Sequence, residues 1–136
     1  MITKSYLSDL IYKVNGAAIQ IHKTLGPGLL ESAYHKLMAI EMKYQEINFI
    51  SEMPIPIYYK NEKVDLEFRC DFFVENCLVV ELKAVEKILP VHEAQLLTYL
   101  KLLKQPKGLL INFNVSHIYS EGQRTFVTDL YKTLPQ

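Results

Sequence analysis

Leu7, Leu10, Ile11, Val14, Ala18, Ile21 and Leu25 recur at helical spacing, which predicts an amphipathic helix over Ser5–Thr24. Gly26-Pro27-Gly28 ends it, because proline cannot continue the hydrogen-bond ladder and glycine tolerates positive φ. A second helix is expected from about Leu29 to about Glu46, with Leu30, Ala33, Leu37, Ile40 and Tyr44 as its core stripe. The period changes near Asn48. Phe49 to Tyr59 carries Ile50, Ile55, Ile57 and Tyr59 around two prolines, a pattern suited to an edge strand.

Asn61-Glu62-Lys63 reads as a turn, and strict alternation follows it. Leu66, Phe68, Cys70, Phe72 and Val74 are expected on one face, with Glu67, Arg69, Asp71, Phe73 and Glu75 on the other. After Asn76, Leu78, Val80 and Leu82 alternate with Val79, Glu81 and Lys83. A third helix is expected over Val91 to Lys104, with Pro90 acceptable in its first turn. Gly108 to Phe113 reads as a short buried strand. A more polar strand is expected within His117 to Val127, and a short helix near Thr128 to Lys132. The order α-α-β-β-β-α-β-β, with no linker or repeat, predicts one α/β sandwich spanning residues 1–136.

Composition narrows the function classes. With 136 residues, 49% of them hydrophobic, the chain can bury a core without disulfides or a structural metal. Its 15 basic and 15 acidic side chains cancel, so contact with nucleic acid or membrane by bulk charge is not expected. Cys70 and Cys77 are too few for a disulfide scaffold, and they read as reduced thiols in a cytoplasmic protein. Lys4, Asp9 and Lys13 interrupt the apolar positions of the first residues, so no signal peptide is expected, and no apolar run is long enough to span a bilayer.

Charge lies where the sheet should be most buried. Glu81 and Lys83 are two apart on a strand and share a face. Whether Asp71 joins them depends on the hairpin register. A two-residue loop, Glu75-Asn76, would send Asp71 and Glu81 to opposite faces. A three-residue loop, Glu75-Asn76-Cys77, or an equivalent bulge, pairs Val74 with Leu78 and sets Asp71 across from Glu81. The odd register is the expectation, with Asn76 suited to a left-handed position. Two carboxylates so placed, with Cβ atoms about 5 Å apart, repel unless a cation lies between them. Lys83 is one candidate, and a divalent ion is the other. Oxygen donors without His or Cys select Mg²⁺ or Mn²⁺ over zinc. A solvated ion-pair face made of Asp71, Glu81 and Lys83 is the competing reading. Glu31, Tyr34 and Met38 share one helix face, and His92, Gln95 and Tyr99 share another. His22, His35 and His117 lack metal-ligand spacing and are expected to have no role in a site.

Gly28-Leu29-Leu30-Glu31-Ser32-Ala33-Tyr34 reads G-x-x-E-x-x-Y. Arg69-Cys70-Asp71, then Val80-Glu81-Leu82-Lys83-Ala84-Val85, then His92 to Leu100 follow in order. Together these blocks resemble the GxxExxY protein family, placed in the PD-(D/E)XK nuclease-like superfamily, over roughly Ser5 to Phe113. The resemblance implies an αβββαβ core with an extra N-terminal helix and an extra C-terminal strand. It makes Asp71 and Glu81 metal-binding acids, with the Leu82 carbonyl as a further ligand. Lys83 becomes the catalytic lysine, Glu31 the acid of the first core helix, and Gln95 with Tyr99 a supporting Q-x-x-x-Y element. The Arg-Cys before Asp71 departs from the proline of the superfamily motif.

The activity implied is Mg²⁺- or Mn²⁺-dependent phosphodiester hydrolysis on DNA. A nuclease acting on RNA, and a catalytically silent binding or assembly module, are the alternatives. Lys13, Lys23, Lys36, Arg69, Lys87, Lys101, Lys104 and Lys107 are the cations available to a nucleic acid. The chain contains no obvious target-reading module, so sequence specificity would require a homodimer or a protein partner.

Overall fold

The computed structural model describes residues Met1 to Gln136. Helix α1 spans Lys4–Leu25 and α2 spans Glu31–Tyr44. Strand β1 is Phe49–Ile55, and a small hairpin follows from β2 (Tyr58–Tyr59) and β3 (Glu62–Lys63). Strand β4 (Phe68–Val74) and strand β5 (Leu78–Lys83) form the central hairpin. Helix α3 (Pro90–Leu103) crosses to β6 (Lys107–Asn112), and a π-helical turn (Ile118–Gly122) leads to β7 (Gln123–Val127) and the short α4 (Asp129–Lys132).

The main sheet runs β1-β4-β5-β6-β7, with β5 and β6 parallel and every other neighbour pair antiparallel. A parallel pair needs a crossover, which α3 supplies. One core unites α1, α2 and one sheet face through Leu7, Val14, Met38, Phe72, Val80 and Ile111. A smaller core, which includes Cys70, Phe73, Val79, Leu96 and Leu110, packs α3 against the other face. The expected α/β sandwich is therefore present, with β1 at the edge as its prolines require.

Helix α1 matches its periodicity. Thr3 caps it by accepting the Tyr6 N–H, and Leu7 through Ile21 supply its buried face. Leu25 departs from the expected stripe and is exposed, because the helix ends there. Gly26, at φ 71°, donates its N–H to the His22 carbonyl.

Helix α2 corrects the sequence reading. Its buried stripe is Tyr34, Met38 and Met42, while Leu30, Ile40 and Tyr44 are exposed. Both stripes have helical spacing, and periodicity alone cannot choose between them. The choice follows from Tyr34, whose ring stacks on Phe113 at 4.2 Å. Its hydroxyl donates to the Gly26 carbonyl (2.6 Å) and accepts the Leu29 N–H (3.2 Å). A buried tyrosine with both hydroxyl functions satisfied orients the whole helix.

The strict alternation expected along β4 is also corrected. Phe72 and Val74 face α1 and α2, but Cys70 packs with Phe73 toward α3, so the pleat is interrupted at Asp71. Pairing between β4 and β5 runs from Val74↔Leu78 to Phe72↔Val80 and stops there. On the other side Glu52 has φ 51°, between the pairs Ser51↔Phe72 and Met53↔Cys70. The sheet is opened at one point, and that point carries the charges.

Candidate functional site

The central hairpin takes the odd register. Glu75 and Asn76 are both left-handed (φ 49° and 58°), the Cys77 N–H reaches the Val74 carbonyl, and Val74 pairs with Leu78. Asp71 and Glu81 consequently lie across from each other where the strands part. Each carboxylate fills the other strand's vacated hydrogen-bond position. Glu81 Oε2 accepts the Asp71 N–H at 2.6 Å, and Asp71 Oδ2 accepts the Leu82 N–H at 2.7 Å. One oxygen of each is held by backbone, which leaves the second oxygen of each without such a bond.

Burial and mutual repulsion act on this pair. Glu81 is only 5% exposed, and burial followed by the charge of Asp71 pushes its pKa up to about 8. Asp71 is raised by burial too, against the opposing pull of the Leu82 N–H, His35 and Lys83. Glu31, at the start of α2, is raised by burial and the Asp71 charge and lowered chiefly by Lys83. Lys83 ends β5 without an ion-pair partner within 4.0 Å, so its charge is shared among the three acids. All three carboxyl groups are therefore raised above their ordinary values, as expected where positive charge is wanting.

The expected residues gather as follows. Glu31 and Asp71 line a cleft of about 590 Å³ together with Ser32, His35, Lys36, Ser51 and Glu52. Tyr99 is buried on α3, where the charges of Glu81 and Asp71 raise its pKa after burial does. Gln95, one turn earlier, is exposed. His92 caps α3, its Nδ1 accepting the Leu89 N–H at 3.0 Å. Cys70 lies beside the acids, and burial pushes its thiol up to about 12, so it is an inert core residue. No three His, Cys, Asp or Glu side chains form a preassembled metal cage.

Two residues that the sequence did not assign to a site belong to this region, and one of them, His35, was expected to have no such role. His35 stacks on Phe72 at 4.4 Å, and its Nε2 lies 3.2 Å from the Asp71 carbonyl and 3.4 Å from Ser51 Oγ. Its position four residues after Glu31 was the available signal, since i and i+4 share a helix face. Asn112 is buried, and its amide accepts the Val85 N–H (3.0 Å) and donates to the Val85 carbonyl (2.8 Å). With the Phe113 N–H on the Lys83 carbonyl (2.9 Å), it pins the backbone on both sides of Ala84. Nothing in the sequence marks Asn112, because its partner Val85 lies in the connection after β5, 27 residues earlier.

The donor chemistry fits a divalent cation. Two hard carboxylates on rigid strands each offer a second oxygen, and their raised pKa values show that an added positive charge would be favourable. A mixed five-stranded sheet flanked by helices, with Asp on one central strand and Glu-x-Lys on its neighbour at a split in the pairing, defines a nuclease-like α/β sandwich. The chain belongs to the PD-(D/E)XK nuclease superfamily, whose family model matches residues 8–125. Enzymes of that superfamily generally use divalent metals and act on nucleic acids. Comparison with curated proteins and with solved structures finds no match. No helix is long and apolar enough to cross a membrane.

Proposed function

We propose that this protein is a Mg²⁺- or Mn²⁺-dependent phosphodiester hydrolase of the GxxExxY family that acts on DNA in the cytoplasm. What supports this reading is the reciprocal pairing of Asp71 and Glu81 with each other's strand, which holds two carboxylates side by side beside a lysine that has no ion-pair partner. Asp71, Glu81 and the Leu82 carbonyl would hold the ion, with Glu31 acting through water. The bound cation supplies Lewis acidity toward the phosphate and acidifies water.

The chain's own residues do the rest. Leu82 N–H and Asp71 N–H fix the orientation of the two carboxylates, so no reorganisation is needed when substrate arrives. Lys83, pinned through its carbonyl by Phe113 and beyond Ala84 by Asn112, orients the attacking water and neutralises charge that develops on phosphate oxygens. Gln95 positions Lys83 or the phosphate, and Tyr99 lies close enough to Glu81 for that charge to raise its pKa. Lys36 is exposed in the same cleft as Asp71 and is available to a phosphate.

Lys83→Ala is expected to lower phosphodiester hydrolysis by about 10²–10³-fold, as loss of a charge-stabilising donor does elsewhere, and to leave Mn²⁺ affinity nearly unchanged. Steady-state cleavage assays beside calorimetry check this, and equal activity in the variant contradicts the role. Incubation with duplex DNA, single-stranded DNA and RNA decides the substrate. Intact nucleic acid in all cases with Mn²⁺ or Mg²⁺ present would favour the silent binding module.

Proton linkage provides a second test. With Glu81 largely protonated at neutral pH, a cation must displace that proton. Mn²⁺ binding at pH 7 is expected to release close to one proton, and affinity should rise with pH until Glu81 is ionised. The measurement is calorimetric heat in buffers of different ionisation enthalpy. A heat independent of buffer would show that the acids are already ionised.

A further inference from the structure

Because β5 and β6 are parallel, the chain leaving Lys83 and the chain leaving Asn112 emerge at the same end of the sheet. The connection after β6 meets the C-terminal end of α1 and the Gly26-Pro27 turn, and a cleft of about 430 Å³ lies between them. His22, Lys23, Pro27, Ser116, His117 and Tyr119 are among its walls, and no Asp or Glu lines it. The cleft beside Asp71 is the opposite, with Glu31, Glu52 and Asp71 around it. Glu121, the acid closest in sequence, is turned onto the backbone and accepts the His117 N–H at 2.9 Å.

This second cleft is rigidly tied to the acid site. His22 Nε2 meets the Val115 carbonyl at 2.8 Å and clasps α1 to the β6–β7 connection. Tyr34 bonds Gly26 and stacks on Phe113, and the Phe113 N–H bonds the Lys83 carbonyl. Lys83 and the cleft wall are thus joined by a short run of packed groups. Lys83 pairs with Asn112 across about 4.8 Å and each further residue adds at most about 3.3 Å, so Ser116, four residues on, lies no more than about 18 Å from Lys83. That is the reach of a few nucleotides. Lys23, Ser116 and His117 are exposed, and the Tyr119 side chain is also open, at 67% exposure.

We propose that this cleft is a subsite for one nucleic-acid strand running away from the phosphate held at the acid site. Lys23, Ser116 and His117 take a backbone phosphate, and Tyr119 stacks on a base. The strand must be unpaired there, because an open tyrosine ring needs a free base face. The assignment rests on the hydrolase reading, and it gives that reading a substrate class: single strands, or duplexes with a frayed or flapped end.

The test uses Lys23→Glu and Tyr119→Ala, both at exposed positions outside the core. Fluorescence anisotropy with a short labelled single strand in EDTA reads binding without cleavage. Lys23→Glu is expected to weaken binding about tenfold and to flatten the salt dependence by about 0.7 in log–log slope. Tyr119→Ala is expected to weaken it about tenfold with the slope unchanged. Hydrolysis of bis(p-nitrophenyl) phosphate, too small to reach the cleft, should be unaltered in both variants. Wild-type affinity in both variants, or no strand binding by the wild type, overturns the subsite. If the wild type binds the strand but hydrolyses neither it nor the small diester with Mn²⁺, the hydrolase reading fails and the strand site stands by itself.

Discussion

Glu81→Gln should make the metal-free protein more stable than the wild type in mildly alkaline solution while abolishing its affinity for Mn²⁺. In the wild type, burial and the neighbouring Asp71 hold Glu81 at about 8, above its ordinary value near 4.5. A group raised in this way contributes its full stability below the unfolded value and loses it as pH rises through the folded one. The metal-free wild type is therefore expected to lose stability steadily between about pH 5 and pH 9. Glutamine keeps an oxygen for the Asp71 N–H and carries no charge, so the variant escapes that loss. At about pH 9 the difference should be on the order of 2–4 kcal/mol, or roughly 7–14 °C in Tm. Asp71→Asn should behave similarly, with its amide oxygen kept on the Leu82 N–H. Thermal melts across pH in EDTA, with and without added Mn²⁺, check this. Variants less stable than the wild type at every pH would mean the two acids are a structural ion pair with Lys83. That outcome would remove the basis for a metal site.

Tyr34 is expected to separate the two halves of the G-x-x-E-x-x-Y motif. Tyr34→Ala empties a fully buried space against Phe113 and should cost about 3–5 kcal/mol. Tyr34→Phe keeps the stacking and leaves the Gly26 carbonyl and Leu29 N–H without their partner, at a cost of about 1–3 kcal/mol. Denaturant midpoints at constant m-value measure both. Glu31→Gln, at the rim of the cleft and outside the core, should leave stability nearly unchanged and lower hydrolysis. Residues three apart in one motif then divide into a packing role and a role at the cleft. A Tyr34→Phe protein with full stability and no activity would instead place the hydroxyl in the chemistry.

Much of this molecule was legible along the chain. The three long helices, the edge strand with its prolines and the buried run 108–113 follow from period and punctuation, which are local properties. The odd register of the central hairpin was also accessible, because Asn76 favours a left-handed turn and only that register sets Asp71 across from Glu81. The stripe of α2 was not. Leu30, Ile40 and Tyr44 are as apolar as Tyr34, Met38 and Met42, and the decision came from a hydrogen-bonding hydroxyl and an aromatic partner distant in sequence.

The same distinction separates the site's parts. Asp71, Glu81 and Lys83 stand out in the sequence because charge on an otherwise apolar strand is visible in one dimension, whereas Glu31, Gln95 and Tyr99 enter through the motif resemblance. Alternation along β4 predicted an unbroken pleat, and the fold interrupts it at Asp71 so that each carboxylate can occupy the other strand's amide. Asn112 became part of the region only through contacts across many residues of chain, and His35 shares the helix face of Glu31 but meets Asp71 through such a contact. The sequence by itself determined which side chains carry charge and which elements present them. Tertiary structure decided how those charges meet, because desolvation and backbone hydrogen bonding depend on neighbours that folding alone brings together.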